Sequence, residues 1–95
     1  AAAFVMKNLG DINLSVDSLA DEFSQSRSSF YRNIQIETGM TPAEFIREVR
    51  LTAARAMVAE NKNIRLEELA NAVGYKSATS FRKKYEARFG EHPLA

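Results

Sequence analysis

Two sets of polar residues stand in matching register. Ser28, Tyr31, Arg32 and Gln35 recur 51 positions later as Thr79, Arg82, Lys83 and Glu86. At 100° per residue each set falls on one face of a helix, opposite Phe30 and Ile34 in the first and Phe81 and Tyr85 in the second. Side chains of these types reach duplex DNA. Arginine binds guanine O6 and N7 with two parallel bonds, serine and threonine bond bases or phosphates, and a tyrosine ring packs on a sugar or a thymine methyl. Arg27, Lys76 and Ser77, where the two segments begin, complete the candidate DNA-binding set. Taken singly, each residue equally suits the solvated face of any soluble helix. The matched register raises the DNA reading above that one.

Other chemistries find little support. His92 is the single histidine and cysteine is absent, so no zinc site and no Cys/His nucleophile is expected. There is no acid/base pair with a supporting motif and no phosphate loop. The expectation is a non-enzyme with no cofactor. Composition is that of a soluble globular chain of 95 residues, 45% hydrophobic and 26% charged, enough for one small domain. No run approaches the roughly 18–20 apolar residues of a spanning helix. The opening AAAFVM is too short, and lacks the basic flank, for a secretory signal. The expectation is a cytoplasmic domain without membrane contact. Net charge is only +1, but it is unevenly spread. Residues 11–22 carry −4, from Asp11, Asp17, Asp21 and Glu22; residues 76–90 carry +4, from five cations against Glu86.

Helices must hold the polar sets in place. Strand-like alternation is absent, and apolar spacing predicts helices over about 3–10, 16–23, 27–38, 41–60, 66–73 and 77–89. Phe4, Val5 and Leu9 point inward in the first; Val16, Leu19, Ala20 and Phe23 do so in the second. Ser15 and Ser26 suit N-caps, and Gly39 and Gly90 suit left-handed C-terminal stops. Thr41-Pro42-Ala43-Glu44 is a capping box with proline at the first helical position. The helix it opens has apolar residues on several faces, so it should be packed on more than one side.

The chain also repeats itself. LADEFSQSRSSFYRNIQIETGMTP from Leu19 aligns with LANAVGYKSATSFRKKYEARFGEHP from Leu69, with one extra residue in the second turn. Leu19 pairs with Leu69, Ala20 with Ala70, Phe23 with Val73, Gly39 with Gly90 and Pro42 with Pro93. Each copy reads as helix, short turn, helix, with a small alanine where a second helix can cross closely. The expected fold is all-α: two helix-turn-helix subdomains, about 4–40 and 61–95, joined by a long central helix, 41–60, with about seven helices in all. Two recognition helices, about 27–38 and 77–89, would then enter adjacent major grooves, roughly 34 Å apart.

The segments LADEFSQSRSSFYR, ETGMTPAEFIREVRLTAAR, LANAVGY and SFRKKYEARFG, with Pro93, resemble the DNA-binding domain of AraC-family transcription regulators over about Ser15 to Pro93. The resemblance implies two helix-turn-helix subdomains on a long helix, activation at promoters, and RNA polymerase as a partner. SRSSFYRNIQIETGMTPAEFIREVRL is especially similar to output domains of hybrid two-component regulators. That likeness implies sensor, kinase or receiver domains in the intact protein, with this chain its C-terminal fragment. By resemblance the base-reading positions are Ser28, Tyr31 and Arg32, then Thr79, Arg82 and Lys83, with Ala78 and Ser80 also at contact positions. Four residues depart from the pattern. Ser24 stands where a turn glycine is common, and Lys83 where arginine is frequent. Glu86 would repel phosphate unless it accepts from a cytosine N4, and Arg65 is a poor N-cap.

Phe30, Phe81, Tyr85, Phe89 and Leu51 read as core. Lys84 and Arg88 fall beside the inward face, where a flank or phosphate contact suits them better than base readout. His92 has no assigned chemistry, and Glu67 and Glu68 read as first-turn acids favoured by the helix dipole. Two alternatives stay open: a helical protein-interaction domain, and DNA binding in which only one unit reads bases.

Overall fold

The computed structural model describes residues 26–95. Four helices follow one another: α1 (Arg27–Thr38), α2 (Pro42–Glu60), α3 (Leu66–Ala72) and α4 (Ala78–Phe89). Each lies within a residue or so of a span expected from the apolar spacing.

Local chemistry sets the boundaries. Ser26 caps α1 by accepting from the Ser29 N–H at 3.2 Å. Gly39 stops it at φ +72°, its N–H donating to the Gln35 carbonyl. At the head of α2 the capping box closes both ways: Thr41 Oγ1 accepts from the Glu44 N–H at 3.2 Å, and the Glu44 carboxylate accepts from the Thr41 N–H at 3.1 Å. Nineteen residues make α2 about 28 Å long. The helix α3 is only seven residues long, and its N-cap, Arg65, makes no side-chain cap bond. Gly74 turns the chain at φ +87°, and Tyr75 N–H returns to the Ala70 carbonyl at 2.8 Å. Ser77 then caps α4, and Gly90 ends it at φ +75°.

The helices pack in succession, α1 on α2, α2 on α3 and α3 on α4. Phe30 and Ile34 seal α1, while Leu51, Ala54, Leu69, Ala70, Val73 and Phe81 form the most deeply buried group. Tyr75, Phe81, Tyr85 and Phe89 continue that core as a chain of tilted rings, with centroids 5.3, 5.9 and 4.7 Å apart. One buried polar side chain is accounted for directly: Arg50 donates from Nη1 to the Val73 carbonyl at 2.6 Å. That carbonyl lies at the end of α3, where it has no helical partner of its own.

The all-helical expectation agrees with this fold, but the expectation of about seven helices in two helix-turn-helix subdomains does not. Among the described residues there are four helices, and a single complete helix-turn-helix, α3 with α4. The polar spans on either side of the α3–α4 unit form turns. Asn61 uses its side chain to accept from Asn63 N–H and its carbonyl to accept from Ile64 N–H, which closes a turn before α3. After Gly90 the tail folds back through bonds from Leu94 and Ala95 to His92. The helices expected over 3–10 and 16–23, with their inward residues from Phe4 to Phe23, lie outside the described residues.

Candidate nucleic-acid interface

The helix α4 is mounted by its buried side. Phe81 and Tyr85 are almost fully buried, and α4 packs against α3, where Ala70 is buried as well. The opposite side carries the expected polar set. Thr79 and Lys83 are exposed; Arg82 and Glu86 are half-exposed. Arg82 Nη1 and Glu86 Oε1 form an ion pair of 2.8 Å at i, i+4 spacing. Glu86 therefore holds Arg82, which reduces the repulsion toward phosphate expected of an isolated carboxylate.

Ser77 has a structural task. Its hydroxyl accepts from the Ser80 N–H at 3.2 Å and so starts the helix. Lys76 precedes it, exposed, in the turn. Candidates from the first set sit on α1. Ser28, Tyr31, Arg32 and Gln35 are all exposed, opposite buried Phe30 and Ile34, and Arg27 is the first residue of the helix. Ile36 is also exposed, at 75%.

The reach of α4 is fixed by contacts that the spacing did not reveal. Arg88, expected at a DNA flank, is bound by Glu48 of α2 through two parallel bonds of 2.7 Å. This hydrogen bonding holds the Glu48 carboxyl below, and the Arg88 guanidinium above, its ordinary range. Arg55 and Arg88 each lie over the Phe89 ring, at 4.9 and 4.8 Å. Arg88 thus ties α4 to the long helix. Glu48 and Arg88 are 40 residues apart, so no local periodicity links them. Arg47 is a further basic residue that the reading of the sequence did not single out. It is exposed on α2 and lines a recess with Lys84 of α4. Burial raises the Tyr75 and Tyr85 phenols, so both stay protonated at neutral pH.

Among the described residues no group of three or more His, Cys, Asp or Glu is placed to hold a metal ion, and no helix is long and apolar enough to cross a membrane. The sequence profile of the helix-turn-helix domain family matches residues 19–95. The chain belongs to the helix-turn-helix domain family.

This helix-turn-helix domain is 32% identical over 93 residues to histidine kinase P4 of Formosa agariphila, a match that covers 98% of this chain and 7% of that protein. It spans 29% and 25% of two further curated regulators. Among solved structures it is similar to the C-terminal domain of AraT, a response regulator from Geobacillus stearothermophilus. That TM-score is 0.89 at 21% identity, covering 97% of this chain and 75% of the other. It is also similar to the DNA-binding domain of the transcriptional factor AdpA in complex with a target DNA. There the TM-score is 0.85 at 23% identity, covering 96% and 80%. At these identities the two structures establish the helix-turn-helix fold.

Proposed function

We propose that this domain binds duplex DNA sequence-specifically and regulates transcription, with α4 as its base-reading helix. One observation carries the reading: exposed Thr79 and Lys83 and half-exposed Arg82 share the outer side of a helix whose other side is locked into the core. An α-helix with its side chains is about 10–12 Å across and fits the B-DNA major groove, about 12 Å wide. Lys83 reaches guanine as a point charge, Arg82 as a fork steadied by Glu86, and Thr79 through its hydroxyl or methyl. Lys76, in the turn, faces the backbone, and Ser77 serves by capping α4. The outward face of α1, with Ser28, Tyr31, Arg32 and Gln35, makes the second contact, in the neighbouring groove, joined by Arg27 from the start of the helix.

The likenesses to a histidine kinase and to response-regulator domains support a place at the output end of a two-component regulator, acting on promoters in the cytoplasm with RNA polymerase and a receiver or kinase segment as partners.

Selection from random duplex DNA should enrich one motif. Arg32→Ala, Arg82→Ala and Lys83→Ala should then each lose about 5- to 150-fold in affinity for it at fixed salt, with relaxed preference at one position. No enrichment, together with affinity that stays flat between 50 and 200 mM salt, would favour the protein-interaction alternative.

A further inference from the structure

Arg82, Lys83 and Lys84 follow one another on α4 at 100° steps, so with Lys83 facing outward the other two lie on opposite flanks. Arg82, on one flank, is paired with Glu86. On the other flank Lys84 meets α2. There a recess of about 400 Å³ is lined by Arg47, Leu51, Lys84, Ala87 and Arg88. A second recess, of about 310 Å³, adjoins it and is lined by Arg47 and Lys84 again, with Arg50, Gly74 and Tyr75. The two cations common to both hollows come from different helices.

The nearby acids are already engaged. Glu48 is bound by Nε and Nη2 of Arg88, and Glu44 by the Thr41 N–H. Arg47 acts on each carboxylate only through space, as a minor influence. Among the described residues, neither Arg47 nor Lys84 forms an ion pair. With Arg88 neutralised by Glu48, the seam keeps two uncompensated positive charges over an apolar floor that includes Leu51. Such a site suits a compact monoanion with several acceptor oxygens. A helix lying in the major groove presents its flanks to the phosphates that border the groove.

We propose that Arg47 of α2 and Lys84 of α4 clamp one phosphodiester of the DNA strand bordering the groove that α4 reads. This rests on the DNA-binding reading above. The clamp makes α2 part of the interface, and it fixes the depth and tilt of α4 while carrying no sequence information itself.

The test uses the 95-residue chain and the duplex enriched from a random pool. Arg47→Gln combined with Lys84→Gln should bind both enriched and random duplex about tenfold more weakly at 100 mM salt. The slope of log affinity against log salt should become shallower by about 0.9, while the ratio of the two affinities stays unchanged. Arg47→Lys with Lys84→Arg, which keeps both charges, should restore most of the affinity and the full slope. A scan of single methylphosphonate substitutions should find one phosphate whose neutralisation weakens the wild type and leaves the double glutamine variant unaffected. Thermal midpoints within a few degrees of wild type confirm that the variants are folded. The clamp is overturned if the double variant keeps wild-type affinity and slope, if it changes the specificity ratio, or if no single phosphate shows that coupling. Lys83→Ala would still lose specificity in those cases, and the DNA reading would stand. Absence of any enriched motif for the wild type would instead sink the reading itself.

Discussion

Arg50 is the residue through which α2 controls the turn before α4, and Arg50→Met measures that control. The native Arg50 is 6% exposed, and its guanidinium donates to the Val73 carbonyl at 2.6 Å. A hydrogen bond from a charged donor contributes about 1.5–3 kcal/mol, and a buried carbonyl left unpaired costs about 1–3 kcal/mol. These describe largely the same loss, so they do not add. Methionine preserves the apolar stem and also relieves the desolvation of a buried cation, which offsets part of it. The net destabilisation is about 2 kcal/mol. A domain of this size shifts its midpoint by about 4–8 °C per kcal/mol, so the melting temperature should fall by about 8–16 °C. Circular dichroism at 222 nm follows the loss, and urea titration should show a lower midpoint with an unchanged slope. Arg50→Lys should fall between the two, since an ammonium can still donate but lacks the planar fork. A melting temperature for Arg50→Met within about 3 °C of wild type would show that Val73 finds another partner, and the argument would fail.

Three further outcomes follow from the caps and the interhelical ion pair. Thr41→Ala removes the acceptor for the Glu44 N–H and half of the capping box, and should cost about 1 kcal/mol in urea unfolding. Gly90→Ala adds a methyl that meets no atom within 4 Å, so the loss of about 1 kcal/mol expected at φ +75° is backbone strain alone, and Gly90→Asn should lose less. Glu48 has its carboxyl held below the ordinary 4.5 by Arg88, so its contribution is present at neutral pH and is lost as pH falls through the lowered value. The pair's side chains are 30% and 49% exposed, which limits that contribution to under about 1 kcal/mol. Glu48→Gln should therefore melt slightly below wild type at pH 7, with the gap narrowing as pH falls through the lowered range of the Glu48 carboxyl.

The sequence made the helical framework legible because its signals are local. Ser26, the Thr41–Glu44 box, Gly39 and Gly90 each act within a few residues, and all four form as their types suggest. Inward Phe30, Ile34, Phe81 and Tyr85 followed from helical period, and so did the exposure of the residues opposite them. The repeat was a weaker guide to architecture. Matching residues show that two segments share a pattern, not that each builds the same set of helices. Within the described residues only the second copy completes a helix-turn-helix. Arg82 and Glu86 stand four apart, so their pairing is written in the spacing. The contacts of Arg50 with Val73 and of Arg88 with Glu48 depend on how distant helices cross, and no periodicity encodes them.

Phe81 and Tyr85 fix α4 in the core, and neither belongs to the outer face of that helix. The mount and the lettering are therefore separable. Thr79 and Lys83 can be exchanged for other residues without disturbing what holds the helix, so a lineage can change its target site one position at a time while the domain keeps its shape. Truncation of Phe81 would do the reverse, leaving every reading side chain intact on a helix no longer held in register with the groove.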